Sequence, residues 1–354
     1  LIQNFKNQIS DSKKQNSNKM KKIIAIALLL SATGIISCNK DSKVADDTQK
    51  TNDILPRGNG HFLMYYYPTS SIFNSDNGKE FVKKDTCIGY PTYICADADG
   101  VLYSSVMSKK VTVTKSTDGG KTWQDVATSD PEQPANAQYV IAAGKSKTIY
   151  ALSSNGSFFV SHDGGAHFDK GTTPCKKDTI HSSPAFGMEG WLAVSADGKK
   201  IIAQAWYFEE TVLSVSSDEG KTWTSVTPPT QRNESRGVGF CGDRIIYASY
   251  DQLFRTDDMG KTWQTSTPEK MLSPNCESSF YGYRNFVTDG DQFVVGVEVP
   301  SAESSHDDKN KYPGAVFYSH DGGKTFETHP FPYSTDPTPG TSDEYVYLVF
   351  VAGK

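Results

Sequence analysis

Several stretches of this chain carry side chains that could do chemistry. They are Trp206-Tyr-Phe-Glu-Glu210, Gln231-Arg-Asn-Glu-Ser-Arg236, Asn275 to Arg284 and Val299 to Pro313. Within or beside them stand Trp206, Glu209, Glu234, Arg236, Tyr283, Arg284 and Glu298. Aromatic rings stack on sugar rings, and a guanidinium group grips a carboxylate through two parallel hydrogen bonds. Rings interleaved with carboxylates and arginines therefore suit sugars, acidic sugars among them. Loops of this composition also occur on plain surfaces, so the chemistry counts only if the fold gathers these residues.

A repeat shows what would gather them. Ser116-Thr-Asp-Gly-Gly-Lys-Thr-Trp123 recurs at Ser161–Phe168, Ser216–Trp223, Thr256–Trp263 and Ser319–Phe326, with a decayed copy at Asn74–Phe81. The template is Ser/Thr-x-Asp-x-Gly-x-Thr-Trp/Phe. The aspartate (76, 118, 163, 218, 258, 321) is expected to close a tight turn by accepting backbone N–H groups two residues on. The glycine (78, 120, 165, 220, 260, 323) supplies a positive φ. The final aromatic lies on the returning strand and buries its ring between sheets. This is a structural device, and none of these aspartates is a candidate ligand.

The template resembles the Asp box of the sialidase superfamily, and the resemblance runs through residues 55–354. The aspartates are 42, 45, 55, 40 and 63 residues apart. Short strands in units of 40–50 residues, with no helical pattern between them, indicate a β-propeller of four-stranded blades. One unit reads Tyr93–Ala96, Val101–Ser105, Val111–Lys115 and Thr122–Val126; the pattern recurs at 139–169, 192–226, 238–265 and 286–328. The first repeat has three strands, 62–67, 71–73 and 80–82. Glu344-Tyr-Val-Tyr-Leu-Val-Phe-Val351 follows no box and is expected to complete that blade, because a ring must leave no open sheet edge. The expectation is an all-β, six-bladed propeller; the 63-residue spacing leaves room for a seventh blade.

The beginning of the chain reads differently. Residues 1–19 are polar and lack a methionine start, which suggests an upstream mis-start with Met20 as initiator. Lys21-Lys22 and the apolar run Ile23–Ile36 form a signal peptide over 20–37, too short for a membrane span of roughly 20 residues. Its end, Ile35-Ile-Ser-Cys38, resembles a bacterial lipobox, which implies lipidation at Cys38. Residues 38–54 are a flexible tether. The expected location is the bacterial cell envelope, with the membrane reached through the lipid.

Of 36 basic and 41 acidic residues, the segment 1–37 holds six lysines and one aspartate. The remainder has 30 basic and 40 acidic residues, about −10, which offers no footprint for nucleic acid. Five cysteines follow Cys38, an odd count, and Cys87 with Cys95 is the expected bridge. No cofactor or metal pattern emerges. Gly144-Lys-Ser146 lacks the spacing of a phosphate loop, His162 and His320 fill variable box positions, and Ser305–Lys311 lacks EF-hand spacing.

Propellers work at the face opposite such box turns. Tyr283 and Arg284 open the innermost strand of the sixth repeat, Glu298 ends the next, and adjacent strands lie about 4.8 Å apart. Arg236 opens the innermost strand of the repeat before. The segment Tyr283-Arg-Asn-Phe…Val-Gly-Val-Glu298 is similar to the sialidase segment around the nucleophile. That resemblance implies Tyr283 as nucleophile, Glu298 as its base and Arg236 with Arg284 as a carboxylate clamp. The family's early Phe/Tyr-Arg-Ile-Pro motif is absent, since Arg57 sits in Leu-Pro-Arg-Gly. The sequence thus points to a glycan-binding propeller, with a sialidase-type hydrolase and a protein-binding assembly scaffold as the other two readings.

Overall fold

A computed structural model describes residues 56–66, 70–86, 92–106, 112–126, 139–153, 156–174, 190–207, 210–230, 237–249, 252–266, 281–300, 315–330 and 346–353. Six four-stranded antiparallel sheets form the six blades of a propeller. Blade one holds β1 (His61–Tyr66), β2 (Ser71–Ser75) and β3 (Val82–Thr86). Blade two holds β4 (Thr92–Ala96), β5 (Leu102–Val106), β6 (Thr112–Ser116) and β7 (Gln124–Asp125). Blade three holds β8 (Tyr139–Ala143), β9 (Ile149–Ser153), β10 (Phe158–Ser161) and β11 (Asp169–Lys170). Blade four holds β12 (Gly190–Val194), β13 (Ile201–Tyr207), β14 (Glu210–Ser216) and β15 (Thr224–Val226). Blade five holds β16 (Gly237–Cys241), β17 (Arg244–Ala248), β18 (Leu253–Thr256) and β19 (Gln264–Thr265). Blade six holds β20 (Tyr281–Thr288), β21 (Val294–Pro300), β22 (Ala315–Ser319) and β23 (Glu327–Pro330). Finally β24 (Val346–Val351) returns to blade one.

There β24 takes the innermost place, in the order β24-β1-β2-β3, pairing His61 with Val351 through to Tyr66 with Val346. The closure expected from the last strand is therefore present. The third strand of this blade lies later than expected, at 82–86 rather than 80–82. Apolar clusters fill the seams between blades. Phe62, Phe293 and Phe350 pack between blades one and six; Tyr103, Val113, Ile149 and Phe159 pack between blades two and three.

The box turns follow one hydrogen-bond plan, which differs from the expected one in reach. In box two, Thr122 donates its N–H (3.0 Å) and its hydroxyl (2.6 Å) to the Asp118 carboxylate, four residues apart rather than two. Ser116 Oγ accepts the buried Gly120 N–H at 2.9 Å. The glycine has φ +86°, and a Cβ there would lie 2.2 Å from the Tyr65 hydroxyl of blade one. The glycine is thus required twice, by its torsion and by the neighbouring blade. Box one is one residue shorter than its template. Asn77, not Asp76, accepts the N–H groups of Lys79 and Glu80, while Ser75 Oγ accepts from Gly78 N–H.

The Cys87–Cys95 bridge is corrected: Cys95 is a free thiol. Consecutive strands across a blade boundary are not sheet neighbours. The chain leaves the outermost strand β3 and re-enters at the innermost strand β4, so nearness in sequence does not make β3 and β4 neighbours. Cys87 itself lies outside the described residues, as do Cys175, Cys276 and Ser305–Lys311.

Candidate functional site at the propeller axis

The six innermost strands surround an axial cavity of about 190 Å³, with Cys95, Ala142, Trp191, Gly239, Val287 and Leu348 among its lining residues. Each of these strands runs toward the box-turn end, where those of blades two to six turn back at Asp97, Gly144, Ser195, Gly242 and Asp289. That end of the axis is occupied by a short 3-10 turn, Arg57–Asn59. Arg57 donates its backbone N–H to the Asp289 carboxylate (2.9 Å) and Nε to the Asp289 carbonyl (2.7 Å). Its Nη1 donates to the Ala196 carbonyl at 3.4 Å, and the guanidinium stands 5.7 Å from the centre of the Phe350 ring. One side chain thereby ties blades six, four and one together. Nothing in the Leu-Pro-Arg-Gly context of Arg57 signals this task.

Asp97 and Asp289 are buried carboxylates with full sets of partners. Asp97 accepts from the Asp99, Val101 and Lys147 N–H groups and from the Tyr103 hydroxyl. Asp289 accepts from Asp291, Gln292 and Phe293 N–H besides Arg57. Burial pushes the Cys95 thiol well up, and the charge of Asp97 adds to it, so this thiol stays protonated. The box carboxylates move the other way. The Thr222 hydroxyl, then backbone N–H groups and the Ser216 hydroxyl, hold Asp218 down to about 2; Thr262 and Thr256 do the same for Asp258. A carboxylate that accepts so many hydrogen bonds is a fixed structural anion and a poor proton donor or acceptor near neutral pH.

Toward the opposite end lie the backbone positions of Tyr283, Arg284, Glu298 and Trp206. Tyr283 and Glu298 are direct register partners in the β20–β21 pair. The register shifts between Tyr283 and Asn285, which leaves Arg284 as the extra residue of a bulge. β20 begins two residues before Tyr283, at Tyr281. Trp206 lies near the end of β13, as the register partner of Thr211. Arg236, Glu234, Glu209 and Cys38 lie outside the described residues. Of the histidines, His162 is exposed and His320 stacks on Tyr318 with ring centres 5.7 Å apart. Gly144-Lys-Ser146 forms the β8–β9 turn, where Lys145 pairs with Glu219 at 3.2 Å.

The fold and its turns define a six-bladed, Asp-box β-propeller. A repeat family described as BNR/Asp-box repeat matches residues 317–328, the last box and its flanking strands. No curated protein sequence matches the chain. Among solved structures, the propeller is similar to one in a nidogen/laminin complex, at 9% identity over 83% of this chain and all of that one, with a TM-score of 0.53. It is also similar to YCF48 from Cyanidioschyzon merolae, at 15% identity over 78% of this chain and 87% of that one, TM-score 0.44. A third similarity is to the GH74 xyloglucanase from Xanthomonas campestris, at 14% identity over 77% of this chain and 46% of that one, TM-score 0.47. At these identities the likeness is one of fold.

Proposed function

We propose that this protein is an envelope-anchored propeller that binds glycan at the face opposite its box turns. The observation that carries the reading is the pairing of Tyr283 with Glu298 beside the bulged Arg284, at the ends of the two strands nearest the axis. A phenol, a carboxylate and a guanidinium group on these neighbouring positions would provide a stacking surface, an acceptor and an anion clamp. The box-turn end of the axis is taken up by Arg57 and its partners, which favours the other end for ligand entry. In this reading Arg236, Glu234, Trp206 and Glu209 would contribute to the same ligand site, and Cys38 would carry the lipid anchor.

The same pairing supports a second reading, hydrolysis. Tyr283 would attack the anomeric carbon while Glu298 takes its proton, the glycosidic C–O bond would break with the aglycone leaving as an alcohol protonated by water, and a second water would hydrolyse the glycosyl–tyrosine bond; Arg236 with Arg284 would hold the substrate carboxylate. Binding of a protein partner, as an assembly scaffold, is the third reading.

Arg284→Ala tests the first two. Loss of binding to sialylated and uronate-containing glycans, with unchanged thermal unfolding, is the expected result. Unaltered binding would remove Arg284 from the site. Release of 4-nitrophenol from aryl sialosides by the wild type, abolished in Tyr283→Phe, would select hydrolysis. Cys38→Ser is expected to release the protein from membrane fractions, and full retention with normal processing would rule out the anchor.

A further inference from the structure

We infer that the seam between blades four and five, on the side away from the box turns, is a binding site for a neutral hydroxyl-bearing group such as an uncharged sugar unit. The inference rests on the glycan reading above and adds to it a place and a chemical class. Three side chains of blade four carry polar atoms that are fully covered and have no hydrogen-bond partner: Trp191 Nε1, both amide atoms of Gln204, and Thr211 Oγ1. Gln204 is 0% exposed and Thr211 2%.

The register places them together. Trp191 is the direct partner of Gln204 on the neighbouring strand, and Gln204 of Leu213. Direct partners of an antiparallel pair project to one face, as do residues two apart on one strand. Trp191, Gln204 and Thr211 therefore share the face that packs on blade five, where Trp191 and Ile202 meet Val238, Phe240 and Ile245. Toward the box turns this seam is apolar. Its other half holds the unpartnered atoms, and Trp191 also borders the axial cavity.

Other blades show that this polarity is not demanded by the fold. Blades two to five align on the residue of the second strand opposite the box serine or threonine: Leu102, Ile149, Ile201 and Ile245. Three residues further on stand Ser105, Leu152, Gln204 and Ala248. Leu152 and Ala248 are buried and apolar, and Ser105 donates its hydroxyl across the seam to the Tyr139 carbonyl at 2.7 Å. Gln204 alone of these four buries a polar group without a partner. Buried polar atoms are normally paired, and an orphaned group needs a reason. Elsewhere the orphaned seam atoms include the phenol oxygens of Tyr139 and Tyr150, single atoms on otherwise apolar rings. In blade four, two donor groups, one acceptor and one hydroxyl that can act either way share one face. All are uncharged, so they match the hydroxyls of a neutral sugar better than a carboxylate or an ammonium group.

Gln204→Leu separates this role from a structural one, because it replaces the orphaned amide with an apolar group of similar size. The assay is an array of neutral glucan, galactan and mannan fragments together with sialylated and uronate-containing glycans, with thermal unfolding measured in parallel. Expected is a loss of neutral-glycan binding of at least ten-fold, unaltered acidic-glycan binding, and an unfolding midpoint equal to or above that of the wild type. Thr211→Val should weaken the same ligands. Wild-type binding of neutral glycans by a folded Gln204→Leu or Thr211→Val protein would overturn the seam site and leave the glycan reading standing. A lowered midpoint in Gln204→Leu would also overturn it, by showing that the amide is needed for folding. A wild type that binds no glycan on the array would overturn both.

Discussion

The box-turn rim and the blade-four row treat buried or half-buried polar groups in opposite ways. At the rim each box carboxylate of blades two, four and five accepts a threonine N–H and a threonine hydroxyl, and also a hydroxyl from the serine or threonine two residues earlier. In the row Trp191, Gln204 and Thr211 leave four polar atoms unanswered. The rim pattern recurs from blade to blade, whereas the unpartnered amide of the row has no counterpart at the aligned positions of blades two, three and five. On the inference drawn above, the contrast separates polarity that builds the propeller from polarity that would answer to a ligand.

The contrast breaks most visibly if the blade-four pattern is moved. Leu152→Gln would place an orphaned amide in the seam between blades three and four, where Leu152 is 1% exposed among Val140, Phe158 and Ile201. Lost apolar burial and an unpaired amide together are expected to cost about 3–5 kcal/mol. Denaturant unfolding measures it, and a cost below about 1 kcal/mol would mean that any seam tolerates such a group. At the rim, Ser216→Ala removes the acceptor of the buried Gly220 N–H, now 2.8 Å away, and one donor to Asp218. A loss of about 1–2 kcal/mol is expected by the same measurement.

The smallest effect concerns acid. Asp218 and Asp258 lie below the ordinary 3.8, at about 2, so they bind protons more weakly folded than unfolded. Their stabilisation is complete above pH ~4 and is lost as pH falls through about 2. The thermal midpoint should therefore drop between pH 4 and pH 2, and less steeply in Asp218→Asn. An unchanged midpoint across that interval would show that the box carboxylates contribute nothing.

The architecture was legible because its parts are local. An eight-residue turn motif, a spacing near 45 residues and an unassigned β-rich stretch at 344–351 suffice to give six blades and their closure. What was misread depends on register. A one-residue deletion in the first box hands the turn from Asp76 to Asn77, which a template written in fixed columns cannot see. Cys95 looked close to Cys87 because the sequence does not show that the chain crosses from a blade's outer edge to the axis between them. At the site, Tyr283 and Glu298 could be brought together on paper because they sit on consecutive strands. Trp191, Gln204 and Thr211 span three strands and become one row only once each strand's offset is known. Nor did any motif announce Arg57, whose partners are 139 and 232 residues away.

The closure of blade one also sets how the molecule bears mechanical load. β1 is held by hydrogen-bonded neighbours on both flanks, with six register partners in β24 and five in β2. β24 has a neighbour on one flank only. A pull applied through the N-terminal segment must first free Arg57 and then shear two ladders at once, whereas a pull on the C-terminus peels a single ladder. A propeller held to a surface through its N-terminal end would thus be gripped by its stronger handle, and the ring would give way first at the strand that closed it.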